Sequence, residues 1–158
     1  MAKYNRRICN RRRKRKNPKP NYILTATSLI FITNVMIGAY TQQYIYAGLF
    51  ALLTVTSVAV HSGDPLVVNI LDKLVIFAVF LWGLNAFYHK WISPKSNNIV
   101  SFATLSTCFF VIWVYCYGYI CNKYCFDPDP VRSNIWHASM HFVGSFGFYL
   151  MLLYIKYK

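Results

Sequence analysis

Glutamate is missing from this 158-residue chain, and four aspartates are its only acids. Charge of either sign falls on 13% of positions, against the ~25% usual in soluble domains. Too few charged side chains remain to clothe a water-facing surface, so an ordinary soluble domain is excluded. Cysteines are few and odd in number: Cys9, Cys108, Cys116, Cys121 and Cys125. Two of them fall inside a long apolar run, which excludes a secreted disulfide framework. The Cys121-x-x-x-Cys125 spacing has no second pair to complete a metal site, so these read as free thiols near an interface. Cys9, among arginines, is a position of the kind that is acylated. No small-residue cleavage site follows the basic N-terminal stretch, so it does not read as a signal peptide.

What the chain does have is apolar and aromatic mass: 56% hydrophobic, 18% aromatic, with a formal net charge of +13. The charge is concentrated. Ten of the 17 Lys and Arg lie between Lys3 and Lys19. Residues 1–21 show no apolar periodicity and read as a basic, disordered tail. Beside a first membrane span, such a cluster anchors the N-terminus in the cytoplasm and attracts anionic lipid. That reading outranks nucleic-acid binding or nuclear targeting. Residues 22–158 read as one transmembrane helical domain.

Five apolar runs follow the tail: Tyr22–Tyr40, Tyr44–His61, Val67–Tyr88, Ile99–Cys121 and Ile135–Ile155. Each approaches the ~20 residues that cross a bilayer as a helix. The runs are continuous rather than alternating, which argues against strands. The expected fold is therefore all-α, a polytopic membrane bundle of about five helices. Pro65, Pro94, Pro128 and Pro130 fall in the expected loops, and Ser133 or Asn134 is the expected cap of the last helix.

Polar residues inside such runs are costly and usually have a task. Ser57 and His61 are four apart, so they share a helix face, as do His137 and His141. Asp72 opens the third run, just past the Gly63-Asp64-Pro65 turn. A cytoplasmic N-terminus and five antiparallel helices bring Ser57, His61, Asp72, His137 and His141 to the cytoplasmic side. One helix more or fewer between Asp72 and His137 would part them by the bilayer thickness. In the five-helix arrangement His89, Lys90, Lys95, Lys156 and Lys158 would face outward.

Three imidazoles with an open fourth position form a recognised catalytic zinc arrangement. Asp72 suits proton transfer beside it. Ser57 suits orienting a water or donating to a developing oxyanion. Each residue also has an ordinary reading. An i,i+4 histidine pair alone is a weak signal, Asp72 can pair with Lys73, and Ser57 can bond its own helix backbone. Together, on one side of the membrane, they favour metal: zinc on His61, His137 and His141. His89 stays an interfacial residue. Asp127 and Asp129 read as solvated loop residues, and Asp64 lies close enough to support the site from behind.

The pattern Ser57-x-x-x-His61, Asp72 eleven residues on, then His137-x-x-x-His141 resembles the CREST superfamily of membrane hydrolases. That group includes alkaline ceramidases, the adiponectin and progestin receptor family, and GPI-lipid remodelling proteins. The stretch from His141 through Gly147 to Leu150 is similar to the ceramidase ending. The turn from His61 to Asp72 is similar to the remodelling branch. The resemblance covers helices two, three and five, about half the chain. It implies zinc on the three histidines, support of the zinc water by Asp72 and Ser57, and hydrolysis of a lipid amide or ester. The family norm is seven helices against the five expected here. The acids tied to calcium control in ceramidases are absent. The alternative expectation is a non-enzymatic multi-pass protein, receptor-like, membrane-remodelling or viral, with a structural or vestigial zinc.

Overall fold

A computed structural model describes residues 20–63, 66–92 and 98–154. The basic tail through Lys19, with Cys9, lies outside these residues, as do Asp64, Pro65, Pro94, Lys95, Lys156 and Lys158. Among the described residues every regular element is helical. In chain order they are α1 (Tyr22–Ser28), α2 (Phe31–Tyr40), α3 (Tyr44–His61), α4 (Leu66–Trp91), α5 (Asn98–Cys121), a 3₁₀ turn (Tyr124–Phe126) and α6 (Pro130–Tyr154). The expected all-α bundle is what forms.

Among the described residues, four helical stretches are long and apolar enough to cross a membrane: Tyr22–Tyr40, Tyr44–His61, Leu66–His89 and Asn98–Phe126. They mark the chain as an integral membrane protein. The last helix has 25 residues, so length does not separate it from these four. Its first half carries Arg132, Ser133, Asn134, His137, Ser139 and His141, which make it more polar than they are. The bundle is apolar outward as well as inward. Phe77, Phe102 and Ile120 are all more than half exposed, as a lipid-facing surface requires. Tyr40, Tyr44, Tyr88 and Trp91 ring one end, and Tyr22 and Tyr119 the other, in the manner of interfacial aromatic belts.

The first run differs from expectation. It is two helices, joined through Leu29 and Ile30, with no Gly or Pro at the join. Thr25 Oγ1 donates to the Asn21 carbonyl, and Thr27 Oγ1 and Ser28 Oγ both donate to the Leu24 carbonyl. Such back-bonding bends helices. The backbone then tightens to i→i−3 bonds: Leu29 to Ala26, Ile30 to Thr27, Ile32 to Leu29 and Thr33 to Ile30.

The last helix also differs. It begins at Pro130, five residues before the apolar run. Asp129 Oδ1 accepts from the Val131 N–H at 3.0 Å, so Asp129 caps it, with Pro130 in the first turn. Ser133 and Asn134, the expected caps, lie inside the helix. Ser133 Oγ donates to the Cys125 carbonyl instead. Asp129 also pairs with Arg132 at 3.6 Å, so it is more than a solvated loop acid.

Lipid is as apolar as a side-chain core, so close packing and polar contacts must hold these helices together. Phe31, Tyr46, Phe50, Leu53, Val75, Val79 and Leu152 form the buried cluster at the meeting of α2, α3, α4 and α6. Gly38 makes the α2–α3 contact possible: a Cβ there would stand 2.5 Å from Tyr46 Cδ1. In the same region Asn34, fully buried, donates to Tyr46 OH at 2.5 Å and to the Ser145 carbonyl at 3.3 Å. Ser145 Oγ donates back to the Asn34 side-chain oxygen. α5 packs chiefly on α6. An apolar crevice of about 130 Å³ opens between α4 and α5, floored by Gly144, Gly147 and Met151 of α6.

Candidate metal centre

His61 ends α3, and a turn through Ser62 and Gly63 follows, with Gly63 at φ 99°, a region that favours glycine. α6 runs antiparallel to α3, so His137 and His141, in its first half, arrive at the same end. One ligand nitrogen from each of the three rings lies within 4.8 Å of the others. Ring centroids are 5.0 Å apart for His61–His137 and for His137–His141, and 5.6 Å for His61–His141. Two bonds of ~2.0–2.1 Å at a tetrahedral angle set nitrogens roughly 3.4 Å apart. Side-chain closure of just over an ångström therefore brings these three onto one ion. The three histidines can hold a metal ion. Imidazoles suit zinc, and they also suit copper, iron and nickel.

The expected supporting residues lie on the same helices. Asp72, in the second turn of α4, is 3% exposed. One carboxylate oxygen accepts from Thr56 Oγ1 at 3.3 Å, and the other pairs with Lys73 Nζ at 2.8 Å. The ordinary ion pair expected from sequence is therefore present. Asp72 acts electrostatically on His61, and the half-exposed Lys73 ammonium acts on all three rings. Ser57, one turn before His61, is buried at 4%. Its hydroxyl meets Ser28 Oγ at 2.9 Å, a partner on another helix.

The first span contributes more than the sequence suggested. Thr27 Oγ1 lies 3.0 Å from His141 Nδ1. Asn21 caps α1 through its side-chain oxygen. Its backbone N–H donates to the His61 carbonyl at 2.7 Å, and its amide donates to Asn134 Oδ1 at 2.7 Å. α1 thus lies against both α3 and α6 at the histidine end. The available signal was the Thr25-Ala26-Thr27-Ser28 cluster within an apolar run.

The remaining candidates stand apart. His89 is exposed at the opposite end of α4, beside Tyr88. Cys121 and Cys125 are free thiols, and Cys125 Sγ contacts Met140 Sδ at 3.6 Å. Among the described residues, the three histidines are the only cluster with metal-ligand geometry. The fold and the cluster together define an integral membrane helix bundle with a three-histidine centre. No protein-family model, curated protein or solved structure matches the chain.

Proposed function

We propose that this chain is a zinc-dependent integral-membrane hydrolase that cleaves a lipid amide or ester, in the manner of the CREST superfamily. The observation that carries the proposal is the convergence of His61, His137 and His141 within 4.8 Å at the end of the bundle that also buries Asp72 and Ser57. Bound zinc supplies a Lewis acid and lowers the pKa of water toward ~7. The chain's own residues then divide the work. The three imidazoles hold the ion. Asp72 takes a proton from the attacking water and returns it to the leaving amine or alcohol. Lys73 pairs with the ionised Asp72 carboxylate at 2.8 Å before that proton arrives. Ser57 holds the water in line. The basic tail keeps the N-terminus cytoplasmic and draws anionic lipid to the same face.

One observation favours a second reading, a structural zinc without catalysis: both oxygens of Asp72 already have protein partners, Thr56 and Lys73. Purified protein in lipid nanodiscs separates the two. The hydrolase reading expects one zinc per chain and turnover of some member of a panel of lipid amides and esters. It expects Asp72→Asn to keep zinc while turnover falls by about 10²–10⁴-fold, the usual loss of a general acid–base. The structural reading expects zinc without turnover in the wild type. Equal activity in wild type and Asp72→Asn removes the proton-transfer role from Asp72.

A further inference from the structure

A hydroxyl has one proton to donate and lone pairs to accept with. In α1 two hydroxyls lie on one carbonyl: Thr27 Oγ1 is 3.2 Å and Ser28 Oγ is 2.8 Å from the oxygen of Leu24. With its proton on Leu24, each oxygen can only accept from its other neighbour. For Thr27 that neighbour is His141 Nδ1 at 3.0 Å, and for Ser28 it is Ser57 Oγ at 2.9 Å. Two short chains of hydrogen bonds therefore start at one backbone carbonyl and run toward the histidine centre with the same polarity.

We infer that α1 sets the proton directions of the centre: Thr27 holds the His141 proton on Nδ1, so that His141 presents its Nε2 lone pair to a metal. The same polarity turns the Ser57 proton toward Ser28, so Ser57 faces the centre as a hydrogen-bond acceptor. Of the two roles open to Ser57, it accepts from the attacking water and does not donate to an oxyanion. The opposite arrangement, with Thr27 donating to Nδ1, would leave a proton on Nε2 and disable His141 as a ligand. Ligating histidines generally need such a partner on the second nitrogen. Thr27 is a positioning residue, acting on the metal through His141. The bend after Ser28 belongs to the same device, because the back-bonds to Leu24 that tighten the helix also orient both hydroxyls.

This inference rests on the three-histidine centre, and its test separates the two. Protein with ¹⁵N-labelled histidine is studied metal-free in nanodiscs, at a pH where the imidazoles are neutral. The His141 signals are assigned by their loss in His141→Gln. We expect the Nδ1–H tautomer at His141 in the wild type and in Thr27→Ser, and a shift toward Nε2–H in Thr27→Val. Zinc titration should show affinity about 10–100-fold weaker in Thr27→Val, the usual loss for an outer partner, and near wild type in Thr27→Ser. An Nε2–H tautomer at His141 in the metal-free wild type overturns the inference without any variant. So does a Thr27→Val protein with unchanged tautomer and zinc affinity. A wild type with the Nδ1–H tautomer that binds no zinc upholds the proton direction and defeats the hydrolase reading instead.

Discussion

Two polar clusters lie one helical turn apart on α6, one fully buried and one partly, and they behave differently. Around Ser145, the Asn34 amide, the Tyr46 hydroxyl, and the Ser145 hydroxyl and carbonyl bond one another. Around His141, the ring nitrogens face one another across as much as 4.8 Å. An ion can span that gap, and a hydrogen bond cannot. The first cluster is closed, since each of its polar side chains has a hydrogen-bond partner inside the protein. The second gathers one ring nitrogen from each of three histidines without joining them to one another. In a membrane, where unmatched polar groups are costly, a closed cluster holds helices together and an open one needs a ligand.

Breaking the open cluster should have the largest effect. His137→Ala removes a ligand and leaves its partners unpaired in a poorly solvated site. Zinc binding at one per chain should be lost. So should the rise in melting temperature on zinc addition, which for the intact site corresponds to about 2.7 kcal/mol at a hundredfold excess over Kd. Breaking the closed cluster should act on stability alone. Asn34→Leu strands Tyr46 OH and Ser145 Oγ and should cost about 1–2 kcal/mol, near the upper range for interhelical hydrogen bonds in membranes. Its zinc stoichiometry should match the wild type, as read by metal analysis of the folded fraction. If Asn34→Leu also loses zinc, the two clusters are one unit and the contrast fails. The smallest effect is expected at Ser101 on α5, 1% exposed, whose hydroxyl has no hydrogen-bond partner. Ser101→Ala should be neutral or stabilising by up to about 1 kcal/mol in denaturation, because it deletes an unmatched group.

The helices were readable because run length is a direct demand of the bilayer. The expected Tyr44–His61 and the observed α3 coincide, and α4 and α5 differ from their runs by at most three residues per end. His61, His137 and His141 stood out because imidazoles in hydrocarbon are conspicuous. Thr27 and Ser28 did not, since a hydroxyl in a membrane helix can always bond its own backbone. Both do so here, and only the fold shows that each also meets a second polar group, His141 Nδ1 and Ser57 Oγ. The break at Leu29–Ile30 was hidden for the same reason, with no Gly or Pro to announce it. The early start of α6 was hidden because a proline soon followed by the polar Arg132, Ser133 and Asn134 reads as loop. In this helix Pro130 sits in the first turn, where its missing N–H costs nothing.

Two of the three candidate metal ligands come from α6, and the third lies 76 positions before His137. During translation the chain passes through a long interval in which it holds only one imidazole of the set. Metal therefore cannot template the early steps of assembly. The hairpin of α2 and α3, with its Gly38–Tyr46 contact and three-residue connection, must form without it. Loading would wait for α6, and occupancy of the centre would report that α6 has docked.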